Sequence, residues 1–251
     1  MSEEKEDKKE QAELPPSRKY ENPERAIHTE NGFQELGKSA GGHPITYKVL
    51  PGKKGRALLV GGVHGNETEG VAFMEGFVQE FCLDASSSPA NCEIVVLPVL
   101  NPDGFLNYAR QNANGVDLNR NMRTKDWQAE ALEPKYYPGK APDSEPETRA
   151  LLKLIEMHPP DFIISFHSWK PMVNVNGPAH AFADVIAKKL NYIITEDIGY
   201  PTPGSLGTWA GWERSIPTIT LEFERGIDLS NIYSFARNAI LSSLELVHPA
   251  V

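Results

Sequence analysis

Short apolar runs bounded by turn residues alternate along this chain with longer segments of helical period. Residues 45–50 read as a strand ended by Pro51-Gly52, and residues 56–61 (RALLVG) as a buried strand closed by Gly61-Gly62. Residues 68–81 place Val71, Met74, Phe77, Val78 and Phe81 on one side, which predicts a helix. Residues 93–100 (EIVVLPVL) predict another buried strand, followed by turn chemistry at Asn101-Pro102-Asp103-Gly104. The polar stretch 122–143, broken by Pro and Gly, predicts a long surface loop. Ser144 with Glu147 three residues on has the form of a capping box, opening a helix through Met157 that Pro159-Pro160 stops. Residues 162–166 predict a strand ending at His167, residues 181–190 a helix, 217–223 a strand and 229–247 a long amphipathic helix.

Strands alternate with helices, and at least three strands carry the continuous apolar character of burial on both faces. The expected fold class is therefore α/β: one domain with a central mixed, largely parallel sheet and helices on both faces. Residues 1–25 are charge-dense with little to bury and are expected to be a mobile tail, leaving 26–251 as the domain.

Composition narrows the class. Of 251 residues, 40% are hydrophobic and 24% charged, which excludes a wholly disordered or fibrous protein. The net charge of −9 argues against nucleic acid or an anionic membrane as partner. No apolar run approaches the ~18 residues of a membrane span, and the N-terminus lacks the apolar core of a signal peptide. A cytoplasmic chain is the expectation, although one trimmed of its leader would look the same. Cys82 and Cys92 are too few for a disulfide framework; two free thiols or one bridge across the intervening Ala/Ser-rich loop remain open.

Ligands of open α/β sheets bind beyond the carboxyl ends of strands. There the chain has His64 and Glu67 after one strand, His167 after another, and Glu222 in the run T-I-T-L-E-F-E. A lone H-x-x-E is ordinarily a loop motif. With His167 it completes a His₂Glu set, the donors of a catalytic zinc that keeps one position open. Alternation puts Thr220, Glu222 and Glu224 on one strand face, and Glu222 suits proton transfer beside such a metal. Residues 110–121 (RQNANGVDLNRN) are either a polar surface loop or a source of Arg110 and Arg120 for a substrate carboxylate and an oxyanion. Asp117 is a candidate acceptor for a zinc-holding histidine.

In this order, H64-G-N-E67, N101-P-D-G104, Arg110, G115-V-D-L-N-R-N121, His167 and the stretch ending L221-E222 resemble the zinc carboxypeptidase family of the carboxypeptidase A type. The resemblance implies one Zn²⁺ per chain on His64, Glu67 and His167, with Glu222 as general base and Arg110 polarising the oxyanion. It implies that Asn119 and Arg120 grip the substrate's free C-terminal carboxylate and that Tyr200 caps it. The stretches P142-D-S-E-P-E-T148 and G199-Y-P-T-P-G-S-L-G-T-W209 look like the bacterial murein peptide amidase A subgroup. Those enzymes cleave the γ-D-glutamyl–meso-diaminopimelate bond of murein tripeptides and related cell-wall peptides. Gly207 would there leave room for a long zwitterionic side chain. The acidic tail and Phe223-Glu224-Arg225-Gly226 depart from the pattern. A carboxypeptidase for α-linked peptides, a deacylase of small N-acyl amino acids and a catalytically silent binding module of the same fold stand as alternatives.

Overall fold

The computed structural model describes residues 15–28, 30–83 and 88–249. Its centre is an eight-stranded mixed sheet built from β1 (Gln34–Lys38), β2 (Pro44–Leu50), β3 (Arg56–Val60), β4 (Glu93–Leu97), β5 (Phe162–Trp169), β6 (Met172–Asn176), β7 (Ile193–Thr195) and β8 (Thr218–Glu224). The order across the sheet is β1-β2-β4-β3-β5-β8-β6-β7. β4, β3, β5 and β8 run parallel, while β2 and β6 flank them antiparallel.

Helices α1 (Thr68–Phe81), α4 (His180–Leu190) and α5 (Leu229–Leu244) cover one face. Phe73, Phe77, Ala236 and Ile240 there meet Leu59, Val96, Ile164, Phe166, Leu221 and Phe223 of the strands. On the other face α3 (Pro146–Met157) and a π-helical segment, Gly207–Trp212, set Leu151, Leu154, Trp209 and Ala210 against Leu58, Val60, Val95 and Ile163. Adjacent residues of the central strands feed opposite cores, so both alternating sets are apolar. The α/β class, the single domain and the helices on both faces are as the patterning predicts.

Several local expectations are corrected. The NPDG segment is the start of a short helix, α2 (Pro102–Asn107), with Asn101 as N-cap accepting from Gly104 N at 2.8 Å. The residue at the N-cap of α3 is Glu145, because Pro146 takes the first helical position. Ser144 Oγ donates to the Glu145 carboxylate at 2.7 Å, and Glu147 accepts from Ala40 N at 2.9 Å and from Asn112 Nδ2 at 3.0 Å. The capping box therefore does not form; long-range donors outbid the local one. β5 runs past His167 to Trp169. Three strands go beyond the predicted elements: β1 and β7 are short, polar or exposed edge strands, and β6 (MVNVN) alternates with period two but places two asparagines where β-propensity is poor.

The chain also packs earlier than residue 26. Ser17 is buried, and its Oγ donates to Glu69 Oε2 at 2.6 Å. Thr68 Oγ1 donates to Arg18 O at 2.6 Å, and Tyr20 meets Phe105 edge-on at 5.2 Å. Ser17 and Arg18 thus bond to the start of α1 and Tyr20 packs on α2, while the rest of the expected tail, residues 1–14, lies outside the described residues. Cys82 and Cys92 are free, buried thiols, and burial pushes both up to about 12.

Phe73 is fully buried, 4.7 Å from Phe166 and 5.6 Å from Tyr233 between ring centroids, tying α1 to β5 and α5. Phe73→Ala is expected to cost about 3–5 kcal/mol, read as a lower midpoint in a denaturant titration.

Candidate active site

β3, β5 and β8 deliver their carboxyl ends to one cleft of about 620 Å³. The turn after β3 carries His64 and Glu67, and Glu67 stands at the N-cap position of α1, where the helix dipole favours an anion. Gly65 between them is obligatory: a Cβ there would lie 1.9 Å from the Gly104 backbone. His167 and Glu222 are register partners on the neighbouring parallel strands β5 and β8, so both side chains rise side by side into the cleft.

His64, Glu67 and His167 are all buried, with donor atoms within 4.8 Å of one another. His64 Nδ1 and His167 Nδ1 lie 3.0 Å from Glu67 Oε1 and Oε2 respectively, and 3.2 Å from each other. Donors around a tetrahedral zinc at ~2.1 Å would stand ~3.4 Å apart, so this set fits that ion. The outer ring nitrogens are engaged elsewhere. His64 Nε2 meets Asp117 Oδ1 at 3.0 Å, and His167 Nε2 meets Ser165 Oγ at 2.9 Å. Both imidazoles are thereby oriented with Nδ1 toward the common point.

Asp117 is buried and also accepts from Arg110 Nε at 2.9 Å and from Asn119 N at 2.9 Å. Burial alone would raise its pKa, but the Arg110 and His64 charges overcome this and hold it well below the usual carboxylate range. Glu67 is likewise held down against burial by the two histidines. Glu222 goes the other way: burial, with Glu67 adding repulsion, pushes it up to about 7 despite His167 and Arg110. Its Oε2 is buried with no hydrogen-bond partner among the described residues, so one carboxylate oxygen is left for a reactant.

Arg110 Nη1 reaches Glu67 Oε1 at 3.1 Å. Arg120 is buried, donates to Asn119 O at 2.7 Å, and lies over the Tyr136 and Tyr200 rings. Asn119 Oδ1 accepts from Leu206 N at 2.9 Å, which turns its amide nitrogen side into the cleft wall. Tyr200 packs edge-on to Trp169 at 5.6 Å, and burial pushes its phenol up to about 12. Gly207 opens the π-helical segment, and a Cβ on it would lie 2.3 Å from Asn176 Oδ1.

The structure therefore brings every candidate residue to the cleft: His64, Glu67, His167, Glu222, Arg110, Asn119, Arg120, Tyr200 and Gly207 all line it. Of the predicted Thr220–Glu222–Glu224 face, Thr220 and Glu222 reach the cleft while Glu224 is exposed. Tyr136, Trp169, Asn174 and Asn176 also line it and were not foreseen. Period-two alternation in MVNVN was the available signal for the asparagines. Tyr136 sits in a loop that offers none.

A family model for zinc carboxypeptidases matches residues 32–179, and the chain belongs to that family. It is a hydrolase of the zinc metallopeptidase class, and the His64–Glu67–His167 triad is consistent with one zinc ion per chain. Among its relatives, murein peptide amidase A of Vibrio campbellii is 36% identical over 200 residues, covering 74% of this chain and 77% of that protein. Murein peptide amidase A of Escherichia coli K12 is 31% identical over 205 residues, covering 76% and 81%. The crystal structure of murein-tripeptide amidase MpaA from E. coli O157 matches with a TM-score of 0.72 at 27% identity, over 95% of this chain and 100% of that one. Carboxypeptidase A from Helicoverpa armigera gives 0.72 at 18% identity, over 91% and 74%, a likeness of fold alone.

Asp117→Asn keeps the shape of the His64 contact but removes its charge. Zinc affinity is expected to fall about 10- to 100-fold, measured by competition with a chromophoric chelator.

Proposed function

We propose that this protein hydrolyses the γ-D-glutamyl–meso-diaminopimelate bond of murein peptides, the murein tripeptide being the model substrate. The observation that carries the reading is the floor of the cleft on the Thr220 side of Glu222. Gly207 contributes no side chain there, and Asn174, Asn176 and Thr220 line it with amides and a hydroxyl. Asn174 Nδ2 donates to Thr195 O at 3.1 Å and Asn176 Nδ2 to Asn174 Oδ1 at 3.0 Å, and the missing Cβ at Gly207 is what lets Asn176 lie there. This fixed polar floor suits the zwitterionic side chain of diaminopimelate better than an aromatic or aliphatic one, which could make no hydrogen bond to it. The likeness to proteins named murein peptide amidase A supports it. The reading carries with it cell-wall peptide turnover as the process and the cytoplasm as the compartment. Among the described residues no helix is long and apolar enough to cross a membrane.

Zinc bound by His64, Glu67 and His167 would polarise the scissile carbonyl and acidify water. The chain's own residues do the rest. Glu222, poised near neutrality by burial, takes the proton of the attacking water and returns it to the leaving amine. Arg110, fixed by Asp117 so that its guanidinium faces the site, stabilises the developing oxyanion. Arg120 and Asn119 hold the carboxylate of the leaving diaminopimelate on its L-centre. Tyr200 closes over that residue and, with Tyr136 and Trp169, excludes water.

The deciding assay is mass spectrometry of products from L-Ala-γ-D-Glu-diaminopimelate beside α-linked peptides ending in Lys or Phe. Free diaminopimelate should appear, cease with a chelator and return with zinc; turnover confined to the α-linked peptides would establish the ordinary carboxypeptidase instead. Glu222→Gln should retain zinc while kcat drops about 10²- to 10⁴-fold. Unchanged turnover in that variant would remove Glu222 from the mechanism.

A further inference from the structure

Arg225 is a third arginine on the cleft wall, and the mechanism above leaves it without a task. It follows β8 by one residue, and its side chain is mostly buried, 22% exposed. Nε and Nη2 both donate to Ser168 O, at 3.1 and 2.6 Å, and Nη2 also reaches Glu67 Oε1 at 3.1 Å. Nη1 carries no hydrogen bond among the described residues. Arg110 has a carboxylate of its own in Asp117, but among the described residues the only carboxylate bonded to Arg225 is Glu67, whose charge is committed to the zinc site. A desolvated guanidinium without a dedicated anion is arranged to receive one from a ligand.

Its backbone is fixed for that purpose. Arg225 N donates to Trp169 O at 3.0 Å, and the next residue, Gly226, donates to Glu69 Oε1 at 2.7 Å. Glu69 is fully buried and its other oxygen is held by Ser17, while Arg18 Nε donates to Gly226 O at 3.4 Å. The packed N-terminal segment and the start of α1 thus clamp the turn that presents the guanidinium.

Position along β8 says which part of a substrate it meets. At roughly 3.3 Å per residue, Glu222 stands between Thr220, on the leaving-group floor, and Arg225 on the far side. Arg225 therefore faces the acyl side of the scissile bond. In a γ-glutamyl link that side carries a free α-carboxylate a short aliphatic chain from the reacting carbonyl, within reach of a guanidinium placed beside Glu67. We infer that Arg225 is the residue by which the site reads the free α-carboxylate of the γ-glutamyl residue on the acyl side. This rests on the amidase reading, and gives the site a means of selecting the γ-link itself rather than only the leaving residue.

The test compares kcat/KM for L-Ala-γ-D-Glu-diaminopimelate with the same peptide carrying D-isoglutamine, where the carboxylate is an amide. The zinc-loaded wild-type protein, Arg225→Gln and Arg225→Lys are assayed, with zinc content measured for each. An α-linked pair with Glu or Gln as acyl residue is run beside it, since the glutamate side-chain carboxylate then lies the same number of bonds from the scissile carbonyl. Wild type should favour the carboxylate member by about 10- to 100-fold, Arg225→Gln should abolish that preference by losing only the carboxylate substrate, and Arg225→Lys should restore part of it, all with full zinc. Equal losses on both members, loss of zinc, or an unchanged preference overturns the inference. Preference and its loss seen only on the α-linked pair would uphold Arg225 as a carboxylate reader while refuting the γ-glutamyl reading; cleavage of neither pair overturns both.

Discussion

Glu67 is buried with positive or metal-binding groups at both oxygens, and the molecule is organised around keeping that concentration of charge dry and compensated. His64, His167, Arg110 and Arg225 all lie within hydrogen-bonding distance of it. Uncompensated, such a carboxylate would cost several kcal/mol. It is tolerable because Asp117 balances Arg110 and orients His64, because α1 presents its N-terminus, and because the donor set suits a divalent cation. The same desolvation that makes Glu67 expensive lifts Glu222 toward neutrality. One environment therefore supplies both a permanently charged ligand and a titratable base.

Precision at this centre comes from buried polar residues that join loops to one another. Asn101, the N-cap of α2, also donates to Val63 O and Arg110 O, so a single amide holds the residue before His64 and the arginine opposite it. Asp103 accepts from Ser39 Oγ, Gly41 N and His43 Nδ1, locking the β1–β2 connection beneath the same helix. Glu69 performs the equivalent service between the N-terminal segment and the turn after β8. These carboxylates and amides are buried on rigid scaffolding, which lets a constellation drawn from separate loops behave as one rigid body. The net charge of −9 lies mainly outside it, since the cleft wall gathers Arg110, Arg120, Arg225, Lys135 and Lys170.

Apolar periodicity and chemistry-bearing spacing by themselves determined much of this protein. RALLVG, EIVVL and FIISF announce central parallel strands because burial on both faces leaves few polar positions. His64 and Glu67 could be paired because their spacing is local, and His167 and Glu222 because each closes or lies in such a strand, where an open sheet places its ligands. The capping box at Ser144 and the tail boundary at residue 25 were misread for one shared reason. Glu147, Ser17 and Glu69 are satisfied by groups far away in the chain, and local patterning contains no information about remote partners. Edge strands β1 and β7, and Tyr136 in its loop, escaped because neither edge pairing nor a ring stacked on two arginines leaves a periodic trace. Only the tertiary structure decided that Arg225 faces the cleft while Glu224 faces solvent. That choice depends on where a turn clamped by Ser17, Arg18 and Glu69 releases the strand, a matter of contacts between segments that the chain order keeps apart.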